Sequence, residues 1–255
     1  HFAGKGDIVP SIDNPVEYFE TNANGTLNML EHSKTSKNLK RFVYAASSSC
    51  YGLAETPTSE SHPINNEHPY ALSKYAGEII LRNWGKIFDL PFTSIRIFNA
   101  YGPRVRTTGV YGAVFGVFFK QKLEGQPLTV VGDGSQTRDF LYVEDVCNAF
   151  YMCANSDKSK NQIYNLGYGS PVSINKLVEI LNSEKVHIPD RPGEPKSTHA
   201  DISKISSEIG WSPKVSFEEG VNKMLNEIDN WKDAPLWTPD KIEKVTENWF
   251  KFLNK

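Results

Sequence analysis

Tyr70-Ala-Leu-Ser-Lys74, read together with Ser47-Ser48-Ser49 upstream of it, decides how this chain folds. A tyrosine and a lysine four apart share one face of a helix, which brings an ammonium near a phenol. A free phenol ionises at a pH of about 10, so a neighbouring cation is expected to draw it toward neutrality and make it a usable base. Alone the spacing is weak, because with this many tyrosines and lysines about one such pair arises by chance. Its flanks strengthen it. Lys40-Arg-Phe-Val-Tyr-Ala-Ala46 reads as a short buried strand running into a hydroxyl-rich turn that ends at Gly52. Hydroxyls at the carboxyl end of a parallel strand point into the crevice where α/β proteins bind ligands. Asn65 to Pro69 supplies a turn and cap. From Tyr70 to about Trp84, apolar pairs at 71/72, 75/76 and 79/80 predict a buried stripe beside the one that carries Tyr70, Lys74 and Glu78.

A strand ending in a serine cluster, followed by Tyr-x-x-x-Lys on the next helix, resembles an extended short-chain dehydrogenase/reductase of the nucleotide-sugar epimerase type. The resemblance covers nearly the whole chain but only the later part of the family's length. It implies a doubly wound parallel sheet with helices on both faces, lacking its first strands here, plus a smaller C-terminal substrate lobe. On that reading 1–100, with a returning strand near 162–167, is the remainder of the dinucleotide-binding domain. Residues 101–161 and 168–255 form the nucleotide-sugar lobe.

The same resemblance assigns residues. His1-Phe-Ala-Gly4 is similar to the tetrapeptide closing the fourth strand of the family's sheet, which puts Phe2, Ala3 and Gly4 along NAD. Asn22, in Thr-Asn-Ala-Asn-Gly-Thr-Leu, resembles the family's asparagine that supports the cofactor or the active site. On residue type alone Asn22 also reads as a surface amide. Arg96-Ile-Phe98-Asn99-Ala-Tyr-Gly-Pro resembles the Arg-x-Phe-Asn-x-Tyr-Gly-Pro signature, in which the phenylalanine backs the nicotinamide and the asparagine contacts the nucleotide diphosphate. Val114 and Val130 fall where the family meets base and ribose. Gly132-Asp-Gly-Ser-Gln-Thr-Arg138-Asp139 and Arg191-Pro-Gly-Glu194 are each expected to present an arginine to that diphosphate, since a guanidinium fork matches paired oxygens. Residue chemistry by itself also permits, as the lesser reading, an Arg138–Asp139 structural pair. Glu194 stands where the family more often has aspartate.

Ser47, Ser49, Tyr70 and Lys74 are the implied catalytic set, with Ser47, Tyr70 and Lys74 also touching the cofactor and Ser48 the substrate. Phenolate at Tyr70 takes the proton of a sugar hydroxyl while hydride leaves the same carbon for the nicotinamide, and the serines hold the hydroxyl in line. Related dehydratases place an Asp-Glu pair after the hydroxyl residue, and decarboxylases a glutamate. Serines at 48 and 49 offer no carboxylate, which leaves epimerisation, with UDP-hexose 4-epimerisation as the leading case. Thr198 lies where the family varies between a bulky aromatic and a small residue. A threonine leaves room at C2, so UDP-uronate and UDP-N-acetylhexosamine remain open.

Composition bounds the alternatives. A formal net charge of -2 over 255 residues gives no electrostatic case for nucleic acid or an anionic membrane. Cys50, Cys147 and Cys153 have neither metal-like spacing nor a disulfide pattern, which suggests a reducing cytoplasm and no metal. The longest strongly apolar run, Ala113 to Phe119, is too short to span a bilayer. A chain beginning with histidine implies a preceding segment, and no Gly-x-x-Gly-x-x-Gly opens a helix in these residues. The natural protein is therefore expected to be longer. A reading of another class follows from that absence, a nucleotide-sugar-binding fragment without redox activity. Residues 13–33 are expected to form one helix with Val16, Phe19, Leu27 and Leu30 buried. With 68–88 it should build a homodimer interface, as equivalent helices do in relatives.

Overall fold

The computed structural model describes residues 1–105 and 111–253. The chain opens with α1 (Ile8–Asp13), α2 (Pro15–Phe19), a π-helical turn (Glu20–Asn24) and α3 (Gly25–Ser33), then reaches β1 (Phe42–Ser47). A 3-10 turn (Ser48–Tyr51) leads toward the long helix α4 (Pro69–Phe88), then β2 (Phe92–Ile97) and β3 (Asn99–Tyr101). Next come α5 (Val114–Leu123), β4 (Leu128–Val131), β5 (Thr137–Arg138), β6 (Phe140–Tyr142), α6 (Val143–Asn155) and β7 (Gln162–Leu166). The chain ends through β8 (Val172–Ser173), α7 (Ile174–Leu181), β9 (Lys185–Ile188), α8 (Ser203–Ile209), α9 (Phe217–Leu225) and α10 (Pro239–Leu253).

The principal sheet runs β1-β2-β7, all parallel, with Ser47 level with Ile97 and Ile97 level with Leu166. Its strands are short and largely apolar because a parallel sheet is covered on both faces. On one face Leu30 and Leu81, from α3 and α4, pack on Phe42, Tyr44 and Phe92. On the other, Phe150 and Ile205, from α6 and α8, pack on Ala45, Ile95 and Tyr164. Helices on both faces of parallel strands make the α/β class that the sequence predicts. A separate core gathers Phe115, Phe119, Val130, Phe217 and Trp231 beside the pairs β4-β9 and β3-β6.

Three expectations are corrected. The helix expected over 13–33 is broken, since Asn14 is not helical and the π turn inserts an extra residue at 20–24. Val16 is exposed as a result, and Tyr18, Asn22, Thr26 and Leu30 face inward. On α4 the apolar pairs give only Ala71 to the buried stripe: Leu72 and Ile79 are exposed, while Ala71, Ser73, Lys74, Gly77, Glu78, Leu81 and Gly85 are buried. Gly77 sets that choice, because a Cβ there would lie 2.4 Å from the Tyr44 hydroxyl and 3.0 Å from Asn22 O. Only a bare backbone lets α4 come so close to β1. Finally, α6 and α8 bury their apolar faces against the principal sheet, so they belong with it rather than with the lobe expected over 101–161 and 168–255.

Polar groups also fix α4 in place. Buried Glu78 takes a two-pronged pair from Arg96 on β2, at 2.5 and 3.0 Å, and a 2.9 Å bond from Ser94. Arg96 donates onward to the Tyr51 hydroxyl at 2.7 Å, and Tyr51 donates to Asn165 on β7 at 2.7 Å. Burial opposes the Arg96 charge, but the Glu78 carboxylate outweighs it and holds the guanidinium firmly protonated. One helix, two strands and the turn after β1 are thereby tied at a single point.

Candidate active site

Ser47 is the last residue of β1 and also caps the turn that follows, its Oγ accepting from Ser49 N at 3.2 Å. Tyr70 stands in the first turn of α4 and donates its phenolic hydrogen to the same Oγ at 3.1 Å. The resemblance implied this meeting, and the fold supplies it by laying α4 across the end of β1. Pro69 opens the helix and His68 caps it, Nδ1 accepting from Ala71 N at 3.2 Å. The His68 ring stacks on Tyr70 at 5.9 Å, and Tyr18 meets Tyr70 edge-on at 6.4 Å. Burial lowers the His68 pKa to about 4, so this imidazole is neutral and accepts without competition from a second proton.

The electrostatics differ from expectation. Burial raises the Tyr70 pKa, the Ser47 hydrogen bond works against that rise, and Asp7 and Cys50 add to it. Lys74 is not placed to acidify the phenol. Its ammonium lies 4.5 Å over the Tyr44 ring, and burial alone brings its pKa down to about 8. The helical spacing was right, but the close approach at Gly77 turns the lysine onto Tyr44.

These residues line a cavity of about 670 Å3 at the carboxyl ends of β1 and β2. Phe2, Gly4, Ser48, Ser49, Phe98, Asn99, Val114 and Thr198 also line it, whereas Ala3 and Asn22 do not. Asn22 is fully buried, accepting from Lys5 N at 2.8 Å and donating to Lys5 O and Ser73 Oγ. It clamps the segment after Gly4 behind the cavity and is not a surface amide. Val130 is a correction: it is buried in the core, and β alternation turns Thr129 and Val131 to the cavity instead.

The opposite wall carries both arginines. Arg138 donates to Glu194 Oε1 at 2.7 Å, and Arg191 Nη1 lies 3.6 Å from Glu194 Oε2. Asp139 takes no part; buried, it accepts from the backbone of Tyr168, Gly169 and Ala200. The Arg138–Asp139 pairing is thus absent, because the strand sends the two side chains to opposite faces. Asn99 Oδ1 accepts from Thr198 Oγ1 at 2.8 Å, which joins the start of β3 to this wall.

Sequence reasoning passed over His68, Tyr111 and Trp249. His68 had a signal, standing at the capping position directly before Pro69. Tyr111 and Trp249 had none, since each reaches the cavity from a distant segment.

A family model described as GDP-mannose 4,6 dehydratase matches residues 1–224. A putative UDP-glucose 4-epimerase of Methanocaldococcus jannaschii is 34% identical over 238 residues, covering 90% of this chain and 76% of the relative. Among solved structures, a UDP-glucose 4-epimerase of Thermotoga maritima with UDP-glucose superposes with a TM-score of 0.84 at 29% identity, covering 90% and 76%. A UDP-glucuronic acid 4-epimerase of Bacillus cereus, in complex with UDP-glucuronic acid and NAD, gives a TM-score of 0.84 at 32% identity, covering 90% and 74%. This chain therefore spans about three quarters of each relative's length.

Proposed function

The chain belongs to the GDP-mannose 4,6-dehydratase family of extended short-chain dehydrogenases, and on that premise we propose that it is an NAD-dependent epimerase of a nucleotide-activated sugar, acting on a UDP-hexose at C4. The observation that carries the reading is the Tyr70–Ser47 hydrogen bond with hydroxyls, not carboxylates, at Ser48 and Ser49. Elimination of water needs an acid and a base after the hydroxyl residue, so this arrangement favours inversion over the dehydratase chemistry in the family's description.

The residues present fit a nicotinamide nucleotide. A Cβ on Gly4 would lie 3.1 Å from Asn22 Oδ1 and 3.5 Å from Lys74 Nζ, so a bare backbone closes over a buried ammonium at the cavity edge. Tyr70 and Lys74 would hold ribose hydroxyls, Phe2, Gly4 and Phe98 would flank the nucleotide, and Asn22 would keep that segment in place. When bound in its oxidised form, the group supplies a reversible hydride acceptor and a positive charge.

The protein's own residues move the proton. Tyr70 must first ionise; as the phenolate it takes the proton from the sugar hydroxyl and later returns it, and Ser47 keeps the oxygen in line by hydrogen bonding to both. Ser49 contributes through its backbone N–H to Ser47 and through its hydroxyl at the cavity wall. Arg138 and Arg191 meet the diphosphate, with Asn99 and Ser48 on the sugar side. Thr198 leaves space beside Asn99. Incubation with a panel of UDP-hexoses, UDP-uronates and UDP-N-acetylhexosamines, followed by chromatographic separation of epimers, tests this. Inversion of UDP-glucose at C4 is expected; failure to invert any member, with NAD bound, would sink the proposal.

The same reading takes the segments around β4, β5, β8 and α5 as the nucleotide-sugar lobe, and places the protein in the cytoplasm on its cysteine usage. Homodimerisation through α3 and α4 belongs to it too, supported by Met29, Leu72 and Ile79 exposed along those helices. No helix among the described residues is long and apolar enough to cross a membrane.

A further inference from the structure

Helix α10 begins beyond residue 224, where the family match ends, yet it supplies part of the cavity wall. Trp249 on this helix is 4% exposed, and its indole N–H donates to Pro192 O at 2.7 Å. Asn248 donates to Asp13 Oδ1 at 2.7 Å, so the helix is tied both to the end of α1 and to the turn that carries Arg191. The Arg191 guanidinium lies 5.8 Å from the Trp249 ring centre and 5.0 Å from that of Tyr111. Its Nη2 donates to the Tyr111 hydroxyl. Trp237 braces Tyr111 edge-on, with ring centres 5.4 Å apart and planes at 65°.

Two aromatic rings, one of them the phenol of Tyr111, therefore fix this arginine. The carboxylate of Glu194 does so less, because its Oε2 is 3.6 Å from Arg191 Nη1 and has no hydrogen-bond partner among the described residues. We propose that Trp249 is a positioning residue for substrate binding, acting through Arg191 and in concert with Tyr111. The proposal rests on the reading that Arg191 meets the nucleotide diphosphate. An arginine held against ring faces, with one N–H given to Tyr111, keeps its remaining N–H groups for phosphate oxygens. Holding it beforehand also removes the ordering cost from the binding step. A cation against aromatic faces in a site screened from water gains further from the ring quadrupole.

Titration calorimetry of the intact protein with UDP, and with uridine, which has the same base and ribose but no phosphate, tests the proposal. W249A is expected to weaken UDP binding roughly tenfold, the scale of a desolvated cation–π contact, and to leave uridine binding unchanged. KM for UDP-glucose should rise by the same factor while kcat at saturation holds. W249F, which keeps a ring for Arg191 but loses the N–H to Pro192, should recover most of the UDP affinity. If W249A does not fold, W249L fills the volume without a π face, and its UDP-selective loss against W249F decides the matter. Wild-type UDP affinity in W249A and W249L, or equal losses for UDP and uridine, overturns the proposal. R191A separates the two levels: if it binds UDP like wild type, the diphosphate reading itself fails, and if it alone loses UDP, only the role of Trp249 does.

Discussion

Tyr70 on α4 and Ser47 at the end of β1 share a 3.1 Å hydrogen bond, although they lie in different elements and α4 must cross the sheet edge to bring them together. Replacing Tyr70 by phenylalanine removes the only hydroxyl of that ring and nothing from its packing. Turnover is expected to fall by roughly 10² to 10⁴, the usual worth of a positioned acid or base, with thermal stability unchanged. An epimerisation assay beside a melting curve checks it.

Ser47→Ala acts on the pH profile. Ser47 is the influence that pulls the Tyr70 pKa down against burial, so its loss leaves the phenol harder to ionise. The rising limb of kcat/KM should shift to higher pH in S47A. A limb that stays in place, or moves to lower pH, contradicts the assignment.

Lys74 carries a stability cost with a definite sign. Its pKa falls from 10.5 to about 8 on folding, so the native state binds fewer protons than the unfolded chain between those values. The penalty, at most about 3 kcal/mol, is fully present below pH 8 and fades as pH rises toward 10.5. K74M should melt higher than wild type at pH 7, and the gap should close by pH 10. Its epimerase activity should nonetheless be lower.

Glu78 and Arg96 are 1% and 3% exposed at their side chains, so neither charge has water to fall back on. R96M leaves the Glu78 carboxylate buried and unpaired, at a cost of about 3–5 kcal/mol in urea unfolding. Pairing it with E78L should recover much of the loss. Because the pair also holds the turn at Tyr51, activity in R96M should fall further than its folded fraction explains.

Ile79 and Leu72 are 47% and 45% exposed on the outer face of α4. The double change L72E/I79E puts charge on the face proposed to meet a second copy while leaving the buried stripe intact. Light scattering should report a dimer for the wild type and a monomer for this variant. A wild-type monomer would remove the interface.

Strand Phe42–Ser47 was legible in the sequence because it is a short apolar run leading into a turn, a signal held within one stretch of chain, and the returning strand Gln162–Leu166 was placed by the resemblance. Tyr70, Lys74 and the serines were legible for the same reason. What local pattern could not rank was which side of α4 turns inward. The apolar pairs pointed one way, and the absence of a Cβ at Gly77 sent the helix the other.

By itself the sequence determined the strand ending in serines and the helix that carries Tyr70 and Lys74, since period and turn chemistry are properties of neighbours, and the resemblance of those motifs implied the α/β class. Tertiary structure alone decided that Lys74 lies against Tyr44, that Thr129 rather than Val130 faces the cavity, and that Trp249 closes on Arg191. Each of those outcomes depends on two distant segments competing for one volume, and steric exclusion between them is settled only when both are in place.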